Sequence, residues 1–143
     1  MPTFSLSDPS LWAQAPPFAR PMQEATLAVG CKIAYFALGD PEDESTPIAA
    51  VFQMPPGFVL RRHAHPCERF ETVIQGSMDL GDRIAVVGDL MTSGENEMYG
   101  PHTAGPEGCT TVEIFSSRSG SGRAVYDTPD GPEYVDYRSA TGE

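Results

Sequence analysis

Three histidines are the residues of this chain best suited to chemistry. His63 and His65 are separated by one residue in the segment HAH, and His102 follows in the segment YGPHTAG. Imidazole is the commonest metal ligand in proteins, and the sequence contains only these three histidines. Because residues i and i+2 of a β-strand project from the same face, a strand here would direct both neighbouring rings to one point. The spacing therefore predicts a metal site that His102 completes from a distant part of the chain.

Short strands are expected to position these rings. Fourteen glycines and fourteen prolines interrupt the 143 residues at short intervals, which leaves almost no room for a long helix. Segments rich in valine, isoleucine, threonine and aromatic residues lie between these breaks. Such spacing favours a sandwich or barrel over alternating βα units, so the predicted class is all-β. The predicted strands cover residues 27–38, 48–54, 58–65, 70–75, 83–87, 110–115 and 123–126.

The length of the chain predicts a single domain with three parts. Residues 1–26 carry five prolines, which predicts an extended arm that packs on its own barrel or on a second subunit. Residues 27–115 are expected to form the barrel. Residues 116–143 begin with a flexible serine- and glycine-rich joint and continue into a tail whose three tyrosines indicate docking. A homodimer is predicted from the arm.

Composition limits the expected partners and compartment. Twenty acidic residues against nine basic ones give a net charge of −11, which repels phosphate backbones and argues against nucleic acid as a partner. Three cysteines without a CxxC pair indicate no disulfide framework, so a cytoplasmic protein is expected. The sequence has neither a basic leader with an apolar core nor a long apolar run, so no membrane partner is expected.

The residues around the HAH segment resemble the first motif of the cupins, a family of small β-barrels. That motif consists of a glycine, a His-x-His pair, a glutamate and a second glycine at set spacings. This chain has Gly57, His63, His65 and Gly76 at those positions, and Arg69 stands in place of the glutamate. The resemblance implies a jelly-roll barrel, also called a double-stranded β-helix, with the histidines inside it.

The second cupin motif is matched less closely. Gly88 can begin it, but Tyr99 stands where the motif has its histidine, and His102 comes three residues later. A three-residue insertion in the preceding loop would restore His102 to the ligand position, and loops accept insertions at small entropic cost. On this alignment the resemblance implies His63, His65 and His102 as metal ligands.

Three alternatives exist for the fourth position around the metal. If Arg69 points inward as the cupin glutamate does, strand alternation directs Glu71 inward and Glu68 outward. Glu71 is therefore favoured, either as a ligand or as an acceptor for a histidine N–H. A β-bulge that shifts the register by one residue would give this role to Glu68. A site of three histidines without a carboxylate is the remaining possibility.

The predicted site favours an enzyme that acts on a small oxygen-bearing organic molecule. The ligand types suit Fe(II), Mn(II), Ni(II), Co(II) or Zn(II), and the cupin resemblance favours iron and a dioxygenase. A metal-assisted lyase or isomerase, with Glu71 or Tyr99 moving the proton, is the alternative enzyme. Outside catalysis, the alternative is a protein that binds or senses a small ligand.

Three further residues are expected to contact the substrate. The guanidinium of Arg69 suits a carboxylate or enolate, and Glu71 or the substrate would balance its buried charge. Phe52 and Met54 are expected to supply apolar walls, because ligand cavities are lined mostly by apolar side chains.

Overall fold

The computed structural model describes residues 1–139, which form ten antiparallel strands and a few short helices. The strands are β1 (Lys32–Ala37), β2 (Ile48–Met54), β3 (Val59–Leu60), β4 (His63–Ala64), β5 (Arg69–Asp79), β6 (Ile84–Val86), β7 (Leu90–Ser93), β8 (His102–Phe115), β9 (Arg123–Thr128) and β10 (Gly131–Asp136). The helices are α1 (Arg20–Ala28), α2 (Arg118–Ser121) and single turns of 3-10 helix at Pro9–Ala13, Pro17–Ala19 and Tyr137–Ser139.

Two sheets enclose the core. In the larger sheet the strands run in the order β1-β2-β8-β5-β6, with β3 paired to β8 and β7 paired to β5. The smaller sheet has the order β10-β9-β4. The long strand β8 is central, because it pairs with β2, β3 and β5 along its length. The all-β prediction is confirmed.

The core forms where apolar residues alternate along the central strands. In β2 the buried positions are Ile48, Ala50, Phe52 and Met54, so every second residue faces inward. The same alternation in the last part of β8 directs polar side chains into the interior as well. Buried polar groups require partners, so this part of the barrel is where chemistry is expected.

Most predicted strands are found, with different limits. The strand predicted at residues 48–54 has those limits, whereas the one predicted at 58–65 is divided into β3 and β4. The strand predicted at 27–38 begins at Lys32, because its first residues end the helix α1. The prediction lacked β7 and β10.

The prediction of an extended arm over residues 1–26 is wrong in its conformation. Pro17 and Pro21 lie in the first turns of helical segments, where a missing N–H costs nothing and a fixed φ favours the helix. The segment packs on its own barrel: the side chain of Gln23 donates to the carbonyl of Ile33, and the amide of Tyr35 donates to the carbonyl of Gln14. The homodimer stays a prediction.

The predicted joint at residues 116–122 is a packed helical turn. Ser117 caps α2, and a Cβ at Gly120 would overlap the side chain of Cys67, so the turn lies tightly against the barrel. The tail continues as the β9–β10 hairpin, and the hydroxyl of Tyr126 in β9 contacts that of Tyr137 just after β10. Residues 140–143 of the predicted tail lie outside the described residues. Within residues 1–139, no helix combines the length and apolar character needed to cross a membrane.

Candidate functional site

A cavity of about 370 Å³ opens into the barrel between the two sheets and helix α1. Its walls are mainly apolar and aromatic, and the aromatic residues include Phe52, Phe58 and Phe115. The rings of His63, His65 and Tyr99 contact one another, and we call these three side chains together with Glu113 the polar end of the cavity. The other polar side chains of the lining are Thr26, Tyr35, Arg61, Ser121, Tyr126 and Tyr137. Concave apolar pockets with a few convergent polar groups are the usual form of small-molecule sites.

Two backbone carbonyls fix the orientation of the neighbouring histidines. Nδ1 of His63 lies 2.6 Å from the carbonyl oxygen of Arg61, and Nδ1 of His65 lies 2.7 Å from that of Arg123. A carbonyl only accepts, so each neutral ring carries its proton on Nδ1 and keeps a lone pair on Nε2. The two ring centroids are 5.1 Å apart.

Both rings are held in their neutral form. Burial lowers the pKa of His63 to about 4 and that of His65 to about 3, from an ordinary value of 6.5. The neighbouring His63 further lowers the pKa of His65. At neutral pH each imidazole is therefore a hydrogen-bond acceptor at Nε2.

Tyr99 completes this group from a separate segment. Its backbone pairs with His63 through two hydrogen bonds of 2.9 and 3.0 Å, which places the two side chains together. The Tyr99 hydroxyl lies 2.8 Å from Nε2 of His63, and it must be the donor because that nitrogen carries no proton. Burial raises the pKa of Tyr99 well above its usual value, so the phenol keeps its proton at neutral pH.

A buried charge cluster lies behind Tyr99. The guanidinium of Arg69 stacks on the Tyr99 ring at 3.9 Å and donates to Oε1 of Glu71 at 3.0 and 3.2 Å. A second carboxyl, that of Glu113, lies 3.9 Å from the same guanidinium. Glu71 and Glu113 are direct partners in the register of β5 and β8, where like charges would repel.

One proton resolves this repulsion. Burial, and then the proximity of Glu71, raise the pKa of Glu113 well above its usual value, which favours the protonated acid. The cluster then contains one guanidinium, one carboxylate and one neutral acid. A neutral sum is what a buried cluster of ionisable groups requires.

The predicted metal ligands do not form one set. The ring of His102 contacts Tyr99, at 5.9 Å between centroids, and Glu71 is engaged with Arg69. Over residues 1–139, no three side chains of histidine, cysteine, aspartate or glutamate are placed to hold a metal ion. In addition, the Tyr99 phenol occupies Nε2 of His63. As they lie, His63, His65, Glu71 and His102 do not fit one metal ion.

The predicted substrate contacts have mixed outcomes. Phe52 lines the cavity, whereas Met54 is only 1% exposed and belongs to the core below it. Arg69 does not line this cavity, because its guanidinium faces two carboxyls and is covered by Tyr99. Glu68 is exposed and accepts from Ser116, so it faces outward as the alternation predicted.

Glu113 is the site residue that sequence reasoning missed. It lies in the segment TTVEIF, between inward-facing Thr111 and Phe115 at the alternate positions of β8. An acidic residue at an inward position of an apolar strand is the signal that would have identified it.

Comparison with solved structures identifies the barrel. The acetylacetone dioxygenase from Acinetobacter johnsonii superposes with a TM-score of 0.58 at 14% identity, covering 99% of this chain and 90% of the other. An RmlC-like cupin protein from Ralstonia eutropha JMP134 gives a TM-score of 0.56 at 17% identity, covering 78% and 69% of the two chains. This chain has the cupin fold. No protein-family model and no curated protein sequence matches it.

The cupin alignment without an insertion agrees with the geometry. His63, His65, Arg69 and Tyr99 stand at the histidine, histidine, glutamate and histidine positions of the two cupin motifs, and these side chains meet. This alignment brings a residue of the second motif beside His63 without an insertion, and the alignment that uses His102 stays a prediction. In this chain a phenol and a guanidinium occupy the motif positions of a histidine and a carboxylate.

Proposed function

We propose that this cupin is an enzyme that binds a small oxygen-bearing organic molecule in the barrel cavity and moves a proton on it, as a lyase or isomerase does. The hydrogen bond of 2.8 Å between Tyr99 and Nε2 of His63, in the wall of the cavity, carries this proposal. Through this bond the pair can relay one proton: as a proton of the ligand moves to the Tyr99 oxygen, the hydroxyl proton moves to Nε2 of His63, and the reverse step returns a proton to the ligand.

The shape and lining of the cavity support a compact, largely apolar ligand. Its volume of about 370 Å³ lies at the small end of the range for ligand pockets. Aromatic and aliphatic side chains cover most of the wall, and the two histidines and Tyr99 form a polar group within it. A molecule with an apolar body and one oxygen-bearing end matches this distribution.

The iron-dependent dioxygenase predicted from the sequence is the second candidate. It is favoured by the anchoring of Nδ1 of His63 and His65 on backbone carbonyls, which is how metal-binding histidines are commonly oriented. Such a site would require Tyr99 to release Nε2 of His63. A divalent metal, with Fe(II) first, remains the cofactor of this candidate.

A comparison of chelator-treated and iron-loaded protein separates the two enzymes. Each form is mixed in D₂O with β-dicarbonyls, hydroxyketones and hydroxylated aromatics, and NMR follows C–H exchange and product formation while an electrode follows oxygen. We expect turnover by the chelator-treated protein without oxygen uptake. Turnover that requires added Fe(II) and consumes oxygen would establish the dioxygenase in its place.

Two tyrosine variants test the residue that carries the proposal. Tyr99→Phe should lower turnover by roughly 100-fold or more, the usual effect of losing a general acid or base. Tyr134→Phe is the matched control, because Tyr134 is 81% exposed and does not line the cavity. If neither the chelator-treated nor the iron-loaded protein turns over any compound, the remaining hypothesis is a protein that only binds or senses a small ligand.

A further inference from the structure

The protons at the polar end of the cavity are already committed to protein acceptors. His63 and His65 give their Nδ1 protons to backbone carbonyls, and Tyr99 gives its hydroxyl proton to His63. Glu113 faces the buried Oε2 of Glu71, which has no donor among the hydrogen bonds of the described residues other than a proton on Glu113. What this end offers to a ligand is therefore a set of lone pairs.

Nε2 of His65 is the most available of these lone pairs. His65 lines the cavity, and its Nδ1 edge is held by the carbonyl of Arg123. Among the hydrogen bonds of the described residues none is donated to its Nε2, and the ring also lies within hydrogen-bonding reach of the backbone of Gly120, whereas Nε2 of His63 already receives the proton of Tyr99. A ligand that donates a hydrogen bond would satisfy this nitrogen, and a ligand without a donor would leave it desolvated and unpaired.

The charges around the cavity disfavour an anionic ligand. The guanidinium of Arg69 is used by Glu71 and Glu113 and covered by Tyr99. Arg61 lies at the cavity wall, but its side chain is 55% exposed, stacks on Tyr126 and lies 3.9 Å from a carboxylate oxygen of Glu133. A carboxylate at the polar end would meet lone pairs without a compensating cation, and the net charge of −11 adds to this repulsion.

We infer that the ligand of this cavity is a neutral molecule with a hydroxyl of the phenol, enol or alcohol type, and that this hydroxyl donates to Nε2 of His65. The inference deepens the proposed function and rests on it, because it names the chemical class that the same cavity takes. This neutral ligand takes the place of the carboxylate or enolate that the sequence predicted as the partner of Arg69.

Binding of three matched aromatic probes tests the inference on the unmodified protein. Phenol donates a hydrogen bond, anisole keeps the ring and the oxygen without the donor, and benzoate is the anion. Dissociation constants are measured by ligand-observed NMR at pH 8 with a chelator present, above the ordinary histidine pKa of about 6.5. We expect phenol to bind about tenfold more tightly than anisole, which corresponds to ~1.4 kcal/mol, and benzoate to bind more weakly than both.

A variant assigns the difference to one atom. His65→Phe keeps an aromatic ring and removes Nε2, so it should weaken phenol binding to the level of anisole and leave anisole binding unchanged. Retained anisole binding also shows that the variant has kept the cavity. If His65→Phe does not fold, the order of the three dissociation constants on the unmodified protein still tests the inference.

The outcomes distinguish failure of this inference from failure of the proposed function. Equal binding of phenol and anisole, or preferred binding of benzoate, would overturn the hydroxyl assignment and leave the cavity as a ligand site. Benzylammonium, the charged donor, would overturn the neutral part of the inference if it bound more tightly than phenol. Absence of binding by all four probes would overturn the inference and would also contradict a small-molecule site in this cavity.

Discussion

The hydroxyl of Tyr99 donates to Nε2 of His63 across 2.8 Å. This bond links a residue aligned with the second cupin motif to one aligned with the first. Tyr99 is held there by its backbone pairing with His63 and by the guanidinium of Arg69 against its ring. The arrangement places an acid and a base side by side at the end of a mainly apolar cavity. The proposed proton transfer rests on this arrangement.

Tyr99→Phe should remove the hydrogen bond to Nε2 of His63 while leaving the barrel folded. The substitution removes the donor to Nε2 of His63, so we expect a loss of about 1 kcal/mol in the free energy of unfolding. The Nδ1–H tautomer of both histidines should persist, because their backbone acceptors remain. Long-range ¹H–¹⁵N spectra measure this directly: the Nε2 signal of His63 should shift and that of His65 should move less. Unchanged Nε2 signals would mean that the bond does not exist in solution.

Acid should destabilise the metal-free protein through its buried histidines. The pKa of His63 is lowered to about 4 and that of His65 to about 3, so between these values and 6.5 the unfolded chain binds protons that the folded chain does not. The free energy of unfolding therefore falls as pH falls through this window, by roughly 3 kcal/mol for His63 alone. Urea unfolding at steps from pH 7 to pH 4 measures the slope, and His65→Phe should reduce it.

Glu113 should have the opposite effect from the histidines: its contribution to the free energy of unfolding should fall as pH rises. Its pKa is raised in the folded protein, so above the unfolded value of 4.5 the folded chain holds a proton that the unfolded chain has lost. Stability from this residue is therefore full below pH 4.5 and falls as pH rises towards the raised pKa. Because the histidines lower stability towards acid and Glu113 lowers it towards alkali, stability should pass through a maximum at intermediate pH. In Glu113→Gln the decline on the alkaline side of that maximum should be smaller, and an unchanged decline would contradict a raised pKa of Glu113.

Sequence patterns were sufficient for the barrel and for the two histidines of the first motif. Alternation located β2 without error, and the His-x-His spacing placed His63 and His65 in one cavity, because strand geometry is local. The helix α1 was missed because prolines at the first turn of a helix look the same in sequence as prolines in an extended arm.

The third member of the cluster could not be settled from sequence. Choosing between Tyr99 and His102 depended on the register of a loop against His63, which is a property of tertiary pairing. Imidazole suits a metal, so the sequence favours His102 as the ligand and gives Tyr99 a role only as the proton-transfer residue of the alternative enzyme. Glu113 escaped notice because its partner across the sheet, Glu71, is distant in the sequence.

Arg69→Met should be strongly destabilising although it removes only one side chain. It leaves Glu71 and Glu113 opposite each other in the core with an uncompensated negative charge, which costs about 3–5 kcal/mol. The double variant Arg69→Met/Glu71→Gln removes that charge and should recover most of the loss. Arg61→Met is the control, because its exposed pair with Glu133 is worth less than about 1 kcal/mol. Chemical denaturation gives the free energy of unfolding of all three variants. If Arg69→Met lost no more stability than Arg61→Met, the buried charge cluster would be contradicted.

The two glycines that frame the first cupin motif should respond differently to alanine. Both have a positive φ, 75° at Gly57 and 74° at Gly76, so each substitution carries a similar backbone strain of about 1 kcal/mol. A Cβ at Gly57 has no atom within 4 Å, whereas a Cβ at Gly76 would overlap the carbonyl oxygen of Gly108 where β5 and β8 cross closely.

The difference between the two variants isolates this close approach. We expect Gly57→Ala to fold with a small loss of stability and Gly76→Ala to lose at least 2 kcal/mol more, because the backbone of Gly108 cannot move without breaking the pairing of the central strands. Thermal unfolding of both proteins under one condition gives the comparison. Equal losses would show that φ alone explains the glycine at the end of the motif and that β5 and β8 have room to separate.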